Sequence, residues 1–586
     1  MNDEFEGAFR PAFILRDSII KVKKLMKKNE IQGYYSQSDK KWQSDSSSEA
    51  CKKPIDSFYL TVNSNDSGLL WLGGKTMRKA ALHNLGCKVN AYETAAMQEM
   101  LEGAGYEIVP FQEQADLYII NTCTVTNIAD RKSRQMLHRA RKMNPKAVVV
   151  AAGCYVQAQE EEHHPADPSV DIVIGNNRKK DLLQILDEYM QGRETVKKWG
   201  TESEKSLPAG QQEEAAQGAE PENSRAFARQ EKAAGGRKNG AAQRSTLLSR
   251  VIDINHTKEY EELHLTRPGE HTRAYIKVQD GCNQFCSYCI IPFARGRVRS
   301  RSMESVVEEV RGLARNGYRE VVLTGIHLSS YGMDFRQAAQ NREKIESSGG
   351  MNIEETEGSR AGWEGTDLLS LIRAVHEVDG ILRIRLGSLE PRIITEEFVR
   401  TAAGLEKLCP HFHLSLQSGC DATLKRMNRR YTTEEYYDKC CLLRKYFQNP
   451  ALTTDIIVGF PGETEEEFAA SMEFADKVDF YETHIFKYSR REGTKAAAMA
   501  DQIPESVKAE RSQRMIELGK QKQAAYERSF LGQEVEVLLE EQMETGGRKY
   551  QVGHTREYLK IALETEENLQ NCIRKIRITD DLQIIH

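Results

Sequence analysis

The 586-residue chain has no apolar run approaching the ~20 residues of a membrane span. Its apolar start, Ala12 to Leu15, is too short for the core of a secretion signal, so a cytoplasmic location is expected. A large charge of either sign is also missing: 82 basic residues stand against 87 acidic ones, for a net −5. That balance argues against wholesale wrapping of nucleic acid, although local basic faces decide binding. No catalytic triad of side chains stands out. What the chain does have is 12 cysteines. Without an export signal these read as thiolates for metal, clusters or catalysis rather than disulfides, since the cytosol keeps thiols reduced.

The length implies roughly three domains plus linkers. Apolar residues at 39% and charged residues at 29% fit a soluble globular protein. Residues 1–76 are polar and aperiodic, and the first convincing strand follows Met77, which suggests that translation begins at Met77. Residues 77–195 alternate short apolar strands (near Lys79 to Leu85, Leu117 to Asn121 and Ala147 to Ala152) with helical stretches, the pattern of a parallel α/β sheet. Residues 196–267 read as a flexible linker, and 335–365 as a polar insertion loop. From 268 to 505, strands at Ala274 to Val278, Glu320 to Leu323, Leu382 to Leu386, His413 to Leu416, Asp455 to Val458 and His484 to Tyr488 predict six βα units of a partial barrel. A connecting helix (506–530) leads to residues 531–586, where strands at Glu534 to Leu539, Tyr558 to Ala562 and Ile573 to Ile578 around Gly546-Gly547 predict a small antiparallel β-barrel. The fold class is therefore α/β with a β appendage.

Two cysteine sets stand apart from the rest. Cys282, Cys286 and Cys289 form a C-x3-C-x2-C run directly after a strand, so three thiolates share one tight loop. Three ligands for a 4Fe-4S cluster leave one iron able to take substrate or cofactor groups. A zinc knuckle is the alternative, and it would want a fourth nearby Cys or His. Cys87, Cys123 and Cys154 are separated by 35 and 30 residues, yet each follows a predicted parallel strand, and those strand ends share one sheet edge. Independent packing cysteines are the alternative there. The cysteines at 51, 409, 420, 440, 441 and 572 are assigned to packing.

The Cys282 to Cys289 loop resembles the signature of the radical S-adenosylmethionine (SAM) superfamily, and Tyr288 matches its usual aromatic. That resemblance implies SAM chelated at the open iron and a 5′-deoxyadenosyl radical on reduction. Both cysteine sets in this order, with a barrel and a terminal β domain, resemble the radical SAM methylthiotransferases across residues 77–586. Gly86-Cys87-Lys88-Val89-Asn90-Ala91-Tyr92-Glu93-Thr94, Asn121 to Thr126 and Ala129 to Gln135 look like the MtaB-like branch, which acts on N6-threonylcarbamoyladenosine in tRNA. The branch for isopentenyladenosine usually has Gln-Met-Asn after the first cysteine, and the branch for a ribosomal protein aspartate departs after the second.

The resemblance implies two 4Fe-4S clusters, SAM, the tRNA anticodon stem-loop, a sulfur donor and a low-potential electron donor such as flavodoxin or ferredoxin. A hydrogen-atom route suits the C2-H of adenine, which has no acidity for a side-chain base to exploit. Barrel sites collect at the carboxyl ends of strands. There Gly325, Ser388, Gln417, Gly459 and Gly462 lie in motifs resembling the family's SAM contacts, with tight-turn glycines as the plain alternative. His327, His411 and His413 are read as structural, and Asp455 as a weak candidate for orienting SAM.

Arg131, Lys132, Arg134, Arg139, Arg141 and Lys142 crowd one predicted helix, and Arg295, Arg297, Arg299 and Arg301 alternate after the cysteine loop. Alternation in an extended segment puts the latter four on one side, where phosphate contact is expected and a solvated face is the alternative. Arg426, Arg429 and Arg430 form a third group. The terminal domain resembles the TRAM domain that commonly grips tRNA, but from Leu531 it carries more acids than bases; Lys560, among other cations, with Tyr550 and Tyr558 as stacking candidates, would serve there. A noncatalytic iron-sulfur RNA-binding protein is the rival reading from another class, and the barrel motifs speak against it.

Overall fold

The computed structural model describes residues 78–161, 167–203, 247–266, 272–347 and 367–579. The expectations for residues 1–76 and for the middle of the linker lie outside them. A first sheet runs β1 (Lys79–Asn84), β2 (Glu107–Ile108), β3 (Leu117–Thr122), β4 (Val148–Gly153), β5 (Ile172–Ile174) and β6 (Leu248–Arg250) in the spatial order β2-β1-β3-β4-β5-β6, all parallel. Runs such as Val148-Val149-Val150-Ala151-Ala152 are buried on both faces, which is why they read as continuous apolar stretches. Helices α1 (Lys88–Gly103) and α2 (Asn127–Met143) follow β1 and β3, and α3 (Cys154–Glu161) follows β4.

The expected linker is partly structured. Leu248–Arg250 within it form β6, and Leu263 and Leu265 near its end pack on Tyr92 and Ala96 of α1. The expected insertion loop likewise begins as a helix, Met333–Ser347. In the linker, polar composition hid a few buried apolar anchors.

Six parallel strands make the partial barrel: β7 (Arg273–Asp280), β9 (Glu320–Gly325), β10 (Arg383–Leu386), β11 (His411–His413), β12 (Ala451–Val458) and β13 (Glu482–Lys487). A short β8 (Arg299–Ser300) pairs antiparallel with the end of β7. The two halves, β10-β9-β7-β8 and β11-β12-β13, join through backbone bridges from Ile384 to Leu408 and Leu389 to Leu414. Alternation sorts the side chains. Ala274, Ile276, Val278, Val321, Leu323, Ile384, Phe412 and Ile456 belong to the apolar core under the helices. The intervening Arg273, Lys277, Gln279, Glu320, Arg385, His411, His413 and Asp455 face the lumen, so the barrel interior is polar, as a ligand-holding interior should be.

The terminal sheet has four antiparallel strands, β14 (Glu534–Thr545), β15 (Arg548–Thr555), β16 (Lys560–Glu564) and β17 (Ile573–Arg577), in the order β16-β15-β14-β17. Gly546 and Gly547 both adopt positive φ at the β14–β15 turn, as a two-residue hairpin requires. This sheet covers the amino-terminal end of the barrel. Arg383 donates to the Glu536 and His554 carbonyls at 2.8 Å each, and Arg385 donates to the Arg556 carbonyl at 2.8 Å while its Nε bonds Glu320 at 2.7 Å. Among the described residues, no helix is long and apolar enough to cross a membrane.

Candidate functional site

Because β1, β3 and β4 are neighbours in register, their carboxyl ends deliver Cys87, Cys123 and Cys154 to one edge. Cys87 caps α1 and Cys154 opens α3, so both thiols sit at positive helix ends. Gly86, at φ +102°, lies so close to Cys123 that an added Cβ would be 2.8 Å from its Sγ. Asn90 Nδ2 donates to the Leu85 carbonyl at 2.8 Å and the Thr122 carbonyl at 2.9 Å, tying the first two loops together. Asn176 Nδ2 reaches Cys154 Sγ at 3.6 Å and the Ala294 carbonyl at 2.7 Å.

The second loop leaves β7 through Gly281, whose φ of +70° and close approach to the Arg297 carbonyl exclude a side chain. Cys282 N–H donates to the Gly296 carbonyl and Cys289 N–H to the Cys286 carbonyl, both at 3.0 Å. Ser287 Oγ donates to the Arg426 carbonyl at 2.8 Å, and Asn428 Nδ2 to the Phe285 carbonyl at 2.9 Å, anchoring the loop from across the barrel mouth. Arg429 Nη1 approaches Cys286 Sγ at 3.2 Å. All six cysteines are free.

One side chain joins the two sets. Arg295, six residues past Cys289, is fully buried and bonds Cys154 Sγ through Nε at 3.1 Å, Glu93 through Nη1 at 2.8 Å, Asp280 at 3.2 Å and Asn90 Oδ1 at 2.5 Å. Around it, Lys277 pairs with Glu93 at 2.8 Å and Asp280 at 2.7 Å, and Lys179 with Glu93 at 3.1 Å. Burial would raise the Glu93 carboxyl, but Arg295, Lys179 and Lys277 outweigh it and hold the group well below the usual range.

The arginine stripe therefore needs correction. Arg295, Arg299 and Arg301 are buried: Arg299 lies 3.7 Å from Asp280, and Arg301 pairs with Glu309. They serve ion pairs inside the protein, not phosphates; Arg297 alone of the four is exposed, stacked at 4.5 Å over Phe285. In the third group, Arg426 pairs with Glu467 and Arg429 with the cysteine loop, leaving Arg430 exposed. Tyr558 is likewise committed, stacked on His411 at 4.8 Å and 10° with Arg385 at 4.8 Å. Tyr550 is half-buried on β15. On α2, Arg131, Lys132, Arg134, Arg139 and Lys142 are exposed, whereas Arg141 pairs with Asp171. Lys560 lies 3.9 Å from Glu541.

At the strand ends, Gly325 abuts Gln279, whose Oε1 accepts from His327 N–H at 2.7 Å. Glu390 gathers His327 Nε2 at 3.2 Å and Gln284 Nε2 at 3.1 Å. Gln279, Glu390 and Gln284 escaped the sequence reading because nothing in their spacing marks them. Ser388 is exposed, and Gln417 is buried at φ +71° with its N–H on the Asp455 carbonyl at 2.8 Å. Gly459 and Gly462 take positive φ, and Gly459 N–H donates to Glu463 Oε2 at 2.7 Å. Tyr288 packs edge-on to Phe460 at 6.4 Å.

Deeper in the lumen the β11-β12-β13 register brings His413, Asp455 and His484 together, their ligand-type atoms all within 4.8 Å. His411 is held well below the usual imidazole range by burial, then by Arg385 and Lys88. Cys87 and Lys88 keep accessible surface, yet burial pushes the Cys87 thiol up and the Lys88 ammonium down.

Burial also pushes the Cys123 thiol up to about 12 and Cys282 up to about 11. Metal-free Cys123 and Cys282 are thus protonated at neutral pH, and metal ligation must release their protons. Because these folded values lie above the ordinary thiol value of 9.0, their contribution to metal-free stability is full below that pH and is lost as pH climbs toward 11 to 12. Iron loading runs the other way, improving as pH rises. Anaerobic iron uptake should be greater at roughly pH 8.5 than at roughly pH 6.5, with proton release in a weak buffer; uptake independent of pH would contradict protonated ligands.

Residues 79–175 match the family described as Uncharacterized protein family UPF0004, and residues 276–475 match the Radical SAM superfamily. The chain is 36% identical, over 86% of its length and 94% of the relative's, to the threonylcarbamoyladenosine tRNA methylthiotransferase MtaB of Bacillus subtilis (strain 168). The MtaB of Aquifex aeolicus (strain VF5) is 34% identical over 79% of this chain and 93% of that protein. A tRNA-2-methylthio-N(6)-dimethylallyladenosine synthase of Acetivibrio thermocellus is 31% identical over 85% and 88%. With two triads of strand-end cysteines on a parallel sheet and a barrel mouth, and with relatives matched along nearly their whole length, the chain is an enzyme that belongs to the radical SAM methylthiotransferase family.

Proposed function

We propose that this enzyme places a methylthio group on C2 of N6-threonylcarbamoyladenosine beside the anticodon of a tRNA. The observation that carries this reading is the contact between the two cysteine sets: Arg295 bonds both Cys154 of one and Asp280 at the root of the other. Sulfur transfer and substrate activation, each needing its own center, would then occur at one place.

The cofactors are SAM and 4Fe-4S clusters. We assign Cys87, Cys123 and Cys154 as ligands of one cluster and Cys282, Cys286 and Cys289 as ligands of the SAM-binding one. The donor sets support this, since each brings three thiols into mutual electrostatic range. When bound, the clusters and SAM supply an electron, a radical able to take hydrogen from carbon, and methylated sulfur. The chain's own part is to position and to exclude water. Tyr288 would wall the SAM site beside Phe460, the backbone at Gly325, Gly459 and Gly462 would let the cofactor approach, and Ser388 and Gln417 would meet its polar atoms. Arg134, Arg297 and Lys560 are the cations assigned to phosphate contact, with α2 presenting the broadest exposed basic face. A low-potential donor such as flavodoxin or ferredoxin, a sulfur donor and a cytoplasmic location complete the proposal, with functional units at 77–195, 268–505 and 531–586 joined by 196–267 and 506–530.

Nucleoside mass spectrometry of tRNA from cells lacking this enzyme tests the assignment. The methylthio derivative of threonylcarbamoyladenosine should disappear while the unmethylthiolated nucleoside accumulates. An unchanged derivative, or loss of the dimethylallyl one instead, rejects it.

A further inference from the structure

Just past the carboxyl end of β13 the chain enters a short segment, Ser489 to Ala496, that touches both cysteine loops. Arg491, only 8% exposed, spans the start of α2. Its Nη1 donates to Asn127 Oδ1 at 2.7 Å and Asp130 Oδ2 at 2.5 Å, and its Nη2 donates to Thr124 Oγ1 at 2.7 Å. Thr124 is the residue after Cys123. The neighbours of Arg491 close the same joint: Asn127 N–H donates to Ser489 Oγ at 3.2 Å and Asn127 Nδ2 to the Arg490 carbonyl at 2.9 Å. The gripped helix also holds the cysteine itself, because Ser133 Oγ donates to the Cys123 carbonyl at 3.1 Å and accepts from Cys123 N–H at 3.3 Å.

The other end of the segment holds the second loop. Thr494 Oγ1 donates to the Arg491 carbonyl at 2.7 Å, and a turn through Gly493, at φ +77°, brings Ala496 N–H to the Ser287 carbonyl at 2.8 Å. Ser287 lies between Cys286 and Cys289. Ala496 also packs in one apolar cluster with Phe460 and Tyr488, against which Tyr288 lies. Arg295 braces the two sets through Cys154 and Asp280, whereas this segment braces them through Thr124 and Ser287. A single brace leaves a hinge about its contact; two at separate points fix orientation as well as distance. The rigid guanidinium fork serves three acceptors at once, which a lysine ammonium on a flexible stem does not reproduce.

We propose that Arg491 is a positioning residue that sets the Cys123 loop against the Cys286-Ser287-Tyr288-Cys289 loop, so that the two centers face the same substrate atom. The inference rests on the reading of both cysteine sets as clusters and adds the residue that aligns them. Reactions between positioned groups tolerate little error, since a misplacement of about 1 Å costs roughly 100-fold.

The test compares the anaerobically reconstituted full chain with three variants. Arg491→Gln/Asp130→Asn removes both buried charges together and so leaves no unpaired carboxylate; Arg491→Lys and Thr124→Val each remove part of the grip. In the metal-free chain, hydrogen–deuterium exchange over residues 122–131 should quicken in the double variant. After reconstitution to wild-type iron content, pulsed electron paramagnetic resonance should show a broader spread of distances between the two reduced clusters. The yield of methylthiolated nucleoside per 5′-deoxyadenosine should fall roughly 10- to 100-fold in the double variant and less in the other two. An iron-replete double variant that keeps the wild-type yield and the wild-type distance distribution overturns the proposal, even with a lowered thermal midpoint, because Arg491 would then only stabilise the fold. If iron-replete wild type holds one cluster and not two, it is the underlying cluster assignment that fails.

Discussion

Cys87→Ala protein will make no methylthiolated nucleoside, yet it will still cleave SAM when reduced. The expectation follows from the separation of the two loops along the chain, which are joined by Arg295 through Cys154 and not through Cys87. Cys282, Cys286 and Cys289 are held by Gly281, Met427, Asn428 and Ala496, none of which touches Cys87. Removing one of three ligands should cost the first cluster, about four iron atoms per chain, and leave the second loop intact. Iron analysis, chromatography of SAM products and nucleoside analysis on one preparation check all three parts. Loss of both activities in a folded variant retaining its second cluster would mean that the two sets do not divide the work.

The second large effect is expected at Arg295. Arg295→Gln removes the cation that holds Glu93 and Asp280 together, leaving buried carboxylates underpaired with Lys277 and Lys179. Breaking one member of a buried charge network costs about 3–5 kcal/mol, and Arg295 also loses its bonds to Cys154 and Asn90. The thermal midpoint should fall by at least about 5 °C. Arg295→Lys should recover part of that stability without the planar contact to Cys154, so the electron paramagnetic resonance signal of the first cluster should stay altered. A double variant with Glu93→Gln should lose less than the sum of the singles, because each removes the other's partner. A normal midpoint and an unaltered signal in Arg295→Gln would show that the residue neither braces the junction nor touches the cysteine set.

The same residue shows what the sequence displayed and what it hid. Cys87, Cys123 and Cys154 were legible as one group because parallel strands end on a common edge, and the β1-β3-β4 order makes those ends adjacent. The alternation Arg295, Arg297, Arg299, Arg301 predicts one shared face, yet Arg297 is exposed while the other three turn inward. That face meets Glu93, Asp280 and Glu309, acids from a helix, a strand end and another helix, and only the fold brings them there. His413 was read as structural, Asp455 as a weak candidate for orienting SAM, and His484 was given no role, because their meeting depends on register across β11, β12 and β13. Strand β15 was missed because Gln551, Gly553 and His554 break the apolar alternation. Gly553 is there because an added Cβ would lie 2.0 Å from the Leu538 carbonyl.

The central claim is that the Cys282-Cys286-Cys289 loop binds a cluster whose free iron takes SAM. The most direct measurement adds dithionite to anaerobically reconstituted enzyme with SAM and follows 5′-deoxyadenosine by chromatography, with Cys282→Ala beside it. The account predicts 5′-deoxyadenosine from wild type and none from the variant. An iron-replete wild-type enzyme that leaves SAM intact would contradict it.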